Sequence, residues 1–395
     1  MTTSASSARR PGSLRVGIIG PRRMGMEHVK CLEQWPADRV AVAAFCDLDP
    51  DVLAQRRTDH PEATTYIDHH AMLEAEPLDL VVIATPNATH APLIEDCLAR
   101  GVHVFCEKPV HSDLGGVDRV RRAAQQSAGR LFFHLEMRTD PCQLELMRVI
   151  REREFGGVVH GIVHALRGPY QRAWMLHRAT SGGLIPDKCI HYFDLLQWWI
   201  GSPPRRVMAV GSQAHDRVVA IEEDDRVVEP DQPDNAYVVV EYENGKRSQI
   251  NLNMLGWMKG VPFQTYELYL EAALLRTAGF HRGKVEVIPY GPRPYTELPD
   301  TESRDRVLPP DQGDRSNHGG LVAQTIDRVV TCLLEDASRP EELAIVDDAC
   351  IATVTSLLAE ASLAADGRWI DVPDLDDLHS TIEAIEAPKA PASSA

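Results

Sequence analysis

The stretch LRVGIIGPRRMG, residues 14–25, joins a short apolar run to a glycine-containing turn and decides the fold. The run 14–19 is mostly apolar and ends at Gly20, a pattern that predicts a buried parallel strand. The turn matches the GxGxxG loop of dinucleotide-binding proteins at Gly20 and Gly25, with Arg22 at the middle position. In that loop the first glycine makes the turn, the second admits the pyrophosphate and the third lets the helix approach the strand. With two of three glycines, a βα turn without a ligand stays open as an alternative.

Apolar strands and helices alternate through the first third of the chain. Further strands are predicted at 40–46, 78–84, 102–106 and 130–135, and helices at 25–35, 50–57, 69–76, 88–100 and 114–128. Alternation of strands and helices predicts a doubly wound parallel sheet, which binds ligands at the carboxyl ends of its strands.

The pattern of strands and helices changes after about residue 139. Strands then follow one another without helices, and Glu243-Asn244-Gly245 is a tight-hairpin signal between two of them. These strands are predicted at 158–166, 206–211, 236–242, 247–252, 264–271 and 284–289, and the accompanying helices at 141–154, 186–200, 319–334 and 341–365. The chain is therefore predicted to be α/β, with a Rossmann domain at 14–137, an α+β domain with an open, mostly antiparallel sheet at 138–372, and tails at 1–13 and 373–395.

Composition narrows the function classes. The 395 residues include 41 Lys and Arg against 58 Asp and Glu, a net charge of −17, which disfavours nucleic acid and anionic membranes as partners. None of the eight cysteines forms a CxxC pair, and no run approaches the roughly 20 apolar residues of a membrane span. We expect reduced thiols in a cytoplasmic protein with a small-molecule partner.

An acidic residue, Asp47, ends the second predicted strand. A carboxylate there can accept hydrogen bonds from the adenosine ribose hydroxyls and would repel a 2′-phosphate, so NAD is favoured over NADP. Arg22 and Arg23 leave NADP open, because either side chain could reach a phosphate. Taken alone, Asp47 is equally compatible with a turn residue.

Two further strand ends carry polar side chains. Thr85, Pro86, Asn87 and His90 follow one strand, either as helix caps or along the nicotinamide side of a bound cofactor. Lys108 emerges from another apolar strand into the predicted ligand crevice. Partial burial and a nearby cationic nicotinamide would both lower the pKa of Lys108, which suits a hydrogen-bond donor or proton carrier.

The stretch SGGLIPDKCIHYFD, residues 181–194, carries the third group of polar residues. If Pro186 opens a helix, Asp187, His191 and Asp194 share one face. These side chains could line a site. Alternatively, Asp187 could stabilise the helix N-terminus while His191 is a hydrogen-bonded core residue. A zinc site of Asp187, Cys189 and His191 is disfavoured, because Cys189 points away from the other two side chains on a helix. No metal is predicted.

Together these segments resemble the glucose–fructose oxidoreductase/inositol dehydrogenase (Gfo/Idh/MocA) family over residues 14–372. The most specific parts are Glu107-Lys108-Pro109 and the double-glycine helix with Asp187, His191 and Asp194, in that order along the chain. Arg138-x-Asp140-Pro141 also resembles the family. Two positions depart from its pattern: Arg22 replaces the middle glycine, and Lys188-Cys189 stands where a small residue and glycine are common.

The resemblance implies that Lys108 hydrogen-bonds the reacting oxygen, that the Lys108–Pro109 bond can be cis, that His191 is the general acid/base and that Asp187 orients substrate or lysine. It further implies a sheet that mediates homodimers or homotetramers. Expected cofactor contacts are Gly20, Arg22, Arg23, Met24, Gly25, Asp47, Thr85, Pro86, Asn87, His90, Glu107 and Lys108. Expected substrate contacts are Lys108, Arg138, Tyr170, Trp174, Asp187 and His191.

The function implied by the resemblance is an NAD(P)-dependent oxidoreductase that interconverts a secondary alcohol and a ketone on a sugar, cyclitol or sugar derivative. Two alternatives stay open: NAD-assisted glycoside hydrolysis or isomerisation on the same fold, and a non-catalytic NAD-binding regulator. The presence of Lys108, Asp187 and His191 together disfavours the regulator, because a sensor needs no acid/base set.

Overall fold

A computed structural model describes residues 12–168, 172–220, 226–256, 261–278, 284–290, 304–307 and 320–386. Tyr170, predicted to bind substrate, lies outside these residues, as do 1–11 and 387–395 of the predicted tails.

The first part of the chain alternates strands with helices. Its strands are β1 (Leu14–Ile19), β2 (Val40–Cys46), β3 (Thr64–Tyr66), β4 (Leu80–Ile83), β5 (His103–Cys106) and β6 (Leu131–Phe133). Its helices are α1 (Arg23–Leu32), α2 (Pro50–Asp59), α3 (His69–Ala75), α4 (His90–Leu98) and α5 (Leu114–Gln126).

The second part contains mostly strands. They are β7 (Val158–Leu166), β8 (Pro204–Ser212), β9 (Val218–Ala220), β10 (Arg226–Val228), β11 (Asn235–Tyr242), β12 (Arg247–Asn253), β13 (Gln264–Leu270), β14 (Ala273–Ala278), β15 (Lys284–Pro289), β16 (Arg304–Val307) and β17 (Ile370–Asp371). The helices are α6 (Pro141–Glu152), α7 (Arg178–Ser181), α8 (Leu184–Ile200), α9 (Leu321–Leu334), α10 (Val346–Ala364) and α11 (Leu378–Glu386).

The first sheet is parallel, with strand order β3-β2-β1-β4-β5-β6. Val16, Ile18 and Val82 have no exposed surface, as expected where crossover helices cover both faces of a sheet. The strand order reverses between β1 and β4, so the carboxyl ends of these two strands border the crevice at which such folds bind ligands. The predicted Rossmann sheet is confirmed.

The second sheet has the order β16-β15-β14-β13-β7-β12-β11-β8-β17. Among the described strands of this sheet, only β7 and β12 pair in parallel, so the predicted open, mostly antiparallel sheet is also confirmed. Helix α8 packs against β7 and β12, and α10 packs against β8. Alternate residues such as Val159, Val210 and Tyr237 keep between 42% and 52% of their surface exposed.

The C-terminal helices return to the first part of the chain. Ile326, Val329 and Val330 of α9 share a core with Val29 and Leu32 of α1. Helix α10 packs against α8 of the second part and against α5 of the first part. The C-terminal helices therefore contact both parts of the molecule.

Several short elements were absent from the sequence prediction. Strand β3 has three residues, and the first of them, Thr64, is exposed, so no apolar run marks it. Helix α11 lies within the predicted C-terminal tail, where Leu378 is completely buried against the core. That part of the predicted tail is therefore ordered structure.

All eight cysteines fall within the described residues and are free thiols, seven of them buried. Within the same residues, no helix is long and apolar enough to cross a membrane.

Candidate active site

The turn after β1 has the shape that a dinucleotide needs. Gly20 has φ +81°, a left-handed conformation that favours glycine. A Cβ atom on Gly25 would lie 2.3 Å from the Gly20 carbonyl oxygen, so only glycine lets α1 start this close to the strand. These two positions and the N-terminus of α1 fit a bound pyrophosphate. Arg23 and Met24 form the first turn of that helix.

Arg22, which replaces the middle glycine, directs its side chain away from the turn. Its Nη2 lies 2.9 Å from Asp49 Oδ2 and its Nε 3.4 Å from Asp47 Oδ2. The Arg22 side chain keeps 59% of its surface exposed. Asp47 is fixed at the tip of β2, because its Oδ1 also accepts the backbone N–H of Asp49. The side chain that interrupts the glycine pattern thus contacts the acidic end of β2 instead of filling the turn.

The loop after β4 connects the two parts of the molecule. Thr85 is half-buried and Pro86 exposed at its tip. The side-chain amide of Asn87 donates a 2.9 Å hydrogen bond to the carbonyl oxygen of Ser181, just before α8. This bond holds the first-sheet loop against the segment that carries the third group of predicted residues.

His90 is a predicted cofactor contact, and in the structure its ring contacts backbone carbonyl groups. The ring is completely buried, with Nδ1 2.8 Å from the Pro109 carbonyl oxygen and Nε2 3.0 Å from that of Thr85. Both ring nitrogens therefore lie within hydrogen-bond distance of backbone carbonyl oxygens, and the side chain connects the loops after β4 and β5.

Lys108, at the tip of β5, reaches the helix of the second part. Its Nζ donates a 2.9 Å hydrogen bond to the Asp187 backbone oxygen and lies 3.9 Å from Asp187 Oδ1. The Lys108 side chain is 22% exposed, and the Lys108–Pro109 peptide bond is cis. The structure thus brings together two predicted catalytic residues that are far apart in sequence.

Helix α8 begins two residues earlier than predicted, at Leu184. Pro186 still fits, because the first turn of a helix needs no intrahelical N–H donor. Gly183 precedes it with φ +114°, and a Cβ there would lie 2.5 Å from the Glu360 carboxyl carbon. Asp187 and His191 follow one turn apart, 1% and 6% exposed.

The Asp187 carboxylate lies between two ammonium groups. Lys188 Nζ is 3.1 Å from Asp187 Oδ2, opposite the oxygen that faces Lys108. Burial alone would raise the pKa of Asp187, but the charges of Lys188 and Lys108 outweigh burial and hold that pKa below its usual value. Asp187 is therefore ionised at neutral pH.

His191 is neutral at physiological pH. Burial lowers its pKa to about 3, and the nearby Lys108 charge adds to the effect, whereas Glu136 opposes it. His191 Nδ1 lies 3.6 Å from Glu136 Oε2. An imidazole whose Nδ1 faces a carboxylate leaves Nε2 as the nitrogen that can exchange a proton with a ligand.

A buried chain of side chains that the sequence analysis did not identify continues from Glu136. His134 Nε2 lies 3.8 Å from Glu136 Oε2, and His134 Nδ1 is 3.0 Å from Glu107 Oε1, which also meets His28 Nε2 at 2.8 Å. Glu107, expected to contact the cofactor, has this oxygen turned toward the two histidines. His134 and Glu136 follow β6, so extending the strand-end rule to the sixth strand would have identified them.

Arg138 was expected to bind substrate, but it is 2% exposed and occupied by carboxylates. Its Nε donates to Asp194 Oδ2 at 2.8 Å, and its Nη1 lies 3.0 Å from Asp348 Oδ2. In the structure Arg138 anchors α8 through Asp194. Trp174 is half-buried in the short 3-10 helix Ala173–Leu176, ahead of α7.

Comparison with known proteins agrees with the two-part fold. The model of an oxidoreductase family with an NAD-binding Rossmann fold matches residues 14–134, and that of the GFO/IDH/MocA C-terminal domain matches residues 144–276. Myo-inositol 2-dehydrogenase of Thermotoga maritima is 27% identical over 59% of this chain and 66% of its own length. Inositol 2-dehydrogenase 4 of Saccharopolyspora erythraea is 32% identical over 48% and 54%.

These matches span less than two thirds of the curated relatives' lengths. Among solved structures, levoglucosan dehydrogenase with NADH and L-sorbose has a TM-score of 0.78 at 17% identity, covering 92% of this chain and all of that one. An NAD-binding oxidoreductase from Klebsiella pneumoniae has a TM-score of 0.77 at 17% identity with the same coverage. The two family models together cover more than half of the sequence, so the chain belongs to the Gfo/Idh/MocA oxidoreductase family.

Proposed function

We propose that this protein is an NAD-dependent oxidoreductase that interconverts a secondary alcohol and a ketone on a sugar, cyclitol or sugar derivative by hydride transfer. The observation that carries the proposal is the contact of Lys108 Nζ with Asp187, one helical turn from His191. A strand tip of the NAD-binding fold and a helix face of the second part thereby converge on one crevice. The relatives named inositol 2-dehydrogenase support the substrate class.

The cofactor side of the site is formed by three strand ends. Gly20, Gly25 and the first turn of α1, with Arg23 and Met24, would hold the pyrophosphate, and Asp47 would accept the ribose hydroxyls. The loop of Thr85 and Pro86 would border the nicotinamide. Bound NAD supplies the hydride acceptor, so the protein has to provide orientation and electrostatics. We infer NAD rather than NADP, because the Asp47 carboxylate disfavours a 2′-phosphate.

Lys108 is placed to donate a hydrogen bond to the reacting oxygen. Its stem leaves a buried strand end, and its amine is held by the Asp187 backbone oxygen with part of its surface open. A cationic donor stabilises negative charge that develops on the substrate oxygen as its proton leaves. The ionised Asp187 beside it keeps the amine in position.

His191 is placed to take the alcohol proton. The neutral ring has a lone pair available, and Glu136 beside Nδ1 favours the tautomer in which Nε2 is the acceptor. Once the ring is protonated, the Glu136 carboxylate stabilises the imidazolium. In the reverse direction the same ring returns the proton to the alkoxide.

The test is to purify the protein and follow nicotinamide absorbance with a panel of inositols, aldoses and nucleotide sugars, using NAD and NADP separately. Net reduction of NAD by at least one polyol supports the proposal. Turnover of substrate without any net change in absorbance would replace it with NAD-assisted hydrolysis or isomerisation. Binding of NAD without turnover of any polyol would contradict it and favour a regulator.

A further inference from the structure

Lys188 is a charged residue near the crevice that the proposed hydride transfer does not use. It follows Asp187 in the first turn of α8, and its Nζ lies 3.1 Å from Asp187 Oδ2. Lys108 Nζ lies 3.9 Å from the other oxygen of the same carboxylate. The two ammonium groups therefore share one carboxylate, and their side chains retain 21% and 22% exposure, whereas the Asp187 side chain has 1%.

The surroundings add positive charge. Burial lowers the pKa of Lys188, and the positive charge of Arg167 lowers it further. The negative charge of Asp187 opposes both effects. The Arg167 guanidinium donates to the hydroxyl of Tyr192 and the side-chain oxygen of Gln264, which are neutral partners. Glu136 provides the second carboxylate near His191. Lys108, Lys188 and Arg167 thus carry three positive charges near the two carboxylates of Asp187 and Glu136, in a chain whose net charge is −17.

A bound oxidised nicotinamide would add one more positive charge to this crevice. An accumulation of like charge in a partly desolvated site is unfavourable unless a ligand balances it. One carboxylate shared by two lysines leaves a single positive charge on these three side chains even before the nicotinamide is counted, and a monoanion balances that charge. Lysine recognises such a group as a point charge, without the planar geometry that arginine imposes.

We propose that Lys188 and Lys108 form a subsite for a carboxylate on the substrate, so that the polyol oxidised here is an acidic sugar or cyclitol, such as a uronic or aldonic acid. This inference rests on the proposed function. Lys108 then contacts both the reacting oxygen and the edge of the subsite, and Lys188 distinguishes acidic from neutral polyols.

The experiment compares kcat/KM for matched pairs, D-glucose with D-glucuronate and D-galactose with D-galacturonate, in the wild type, Lys188→Met and Lys188→Arg. A charge-assisted contact predicts that the acidic-to-neutral ratio falls about 10- to 100-fold in Lys188→Met, mainly through KM, and recovers in part in Lys188→Arg. The ratio in the wild type should also decrease as ionic strength rises. Lys246→Met, in the turn between β11 and β12, is the control that should leave the ratio unchanged.

Cofactor titration of each variant shows whether it is folded. An acidic-to-neutral ratio that is the same in the wild type and both Lys188 variants, while neutral polyols reduce NAD, would overturn the inference and leave the proposed function standing. Preference for a sugar phosphate over the corresponding uronate would also overturn the carboxylate assignment. Absence of NAD reduction with every polyol, in a protein that binds NAD, would instead contradict the proposed function itself.

Discussion

Glu136→Gln tests how the protein prepares His191 for proton transfer. Glu136 Oε2 lies 3.6 Å from His191 Nδ1, and both side chains are buried. Two unit charges at that separation attract by roughly 4–5 kcal/mol at an effective dielectric constant of about 20. Glutamine keeps the shape and a dipole that recovers part of this attraction, so we take about 2 kcal/mol as the loss in the transition state.

A loss of about 2 kcal/mol corresponds to a roughly 30-fold decrease in kcat. The decrease should appear in kcat and kcat/KM together, because the imidazolium exists only as the proton moves. The assay is steady-state reduction of NAD with the best substrate of the panel, combined with a fluorescence titration of NADH binding, which should be unchanged. Glu152→Gln, on the exposed side of α6, is the matched control.

The reasoning would be refuted if Glu136→Gln kept kcat within about twofold of the wild type. It would also be refuted if the decrease were confined to NADH affinity, since Glu136 would then act on the cofactor and not on His191. Loss of folding is distinguished from both results by the retained binding of NADH.

Three further predictions follow from the same geometry. Lys108→Met should lower turnover by about a thousandfold or more, because the hydrogen-bond donor to the reacting oxygen is lost. Titration with NADH should show that the variant still binds the cofactor. Weakened NADH binding together with normal turnover at saturating cofactor would contradict the role of Lys108. Asp47→Ser should reduce the NAD-to-NADP preference in kcat/KM by about tenfold. The substitution removes the carboxylate that repels a 2′-phosphate and frees Arg22 to bind one. An unchanged preference would refute the role of Asp47. Asp194→Asn should lower the free energy of unfolding, measured in urea, by about 3 kcal/mol. Among the described residues, Arg138 would then stay buried with Asp348 as its remaining anionic partner. A loss below about 0.5 kcal/mol would show that the pair contributes little.

The sequence was sufficient to predict the fold and to bring several candidate site residues close together. Buried parallel strands are continuous apolar runs, and their carboxyl ends share one edge of the sheet, so Gly20, Asp47 and Lys108 could be placed at one crevice. Helical periodicity placed Asp187 and His191 on one face. Local patterns of these kinds are readable because each depends on neighbouring residues only.

Features that depend on contacts between distant segments could not be predicted. His90 resembles a loop residue in sequence, and only the packing of two loops shows that it is buried. The ion pair of Arg138 with Asp194 joins residues of separate elements, and so does the approach of Glu136 to His191. The sequence places Arg22 at the position of the middle glycine, and only the structure shows that its long side chain reaches Asp49, the residue before α2.

The central claim is that a carbinol hydrogen passes as hydride to a nicotinamide held beside Lys108 and His191. The most direct measurement uses the best substrate of the panel, deuterated at the carbon that is oxidised, with NAD as acceptor. We predict that the deuterium appears at C4 of the nicotinamide ring in the wild-type reaction and that Lys108→Met forms labelled NADH about a thousandfold more slowly or less. Deuterium released to water, or retained on an unoxidised product, would contradict the claim.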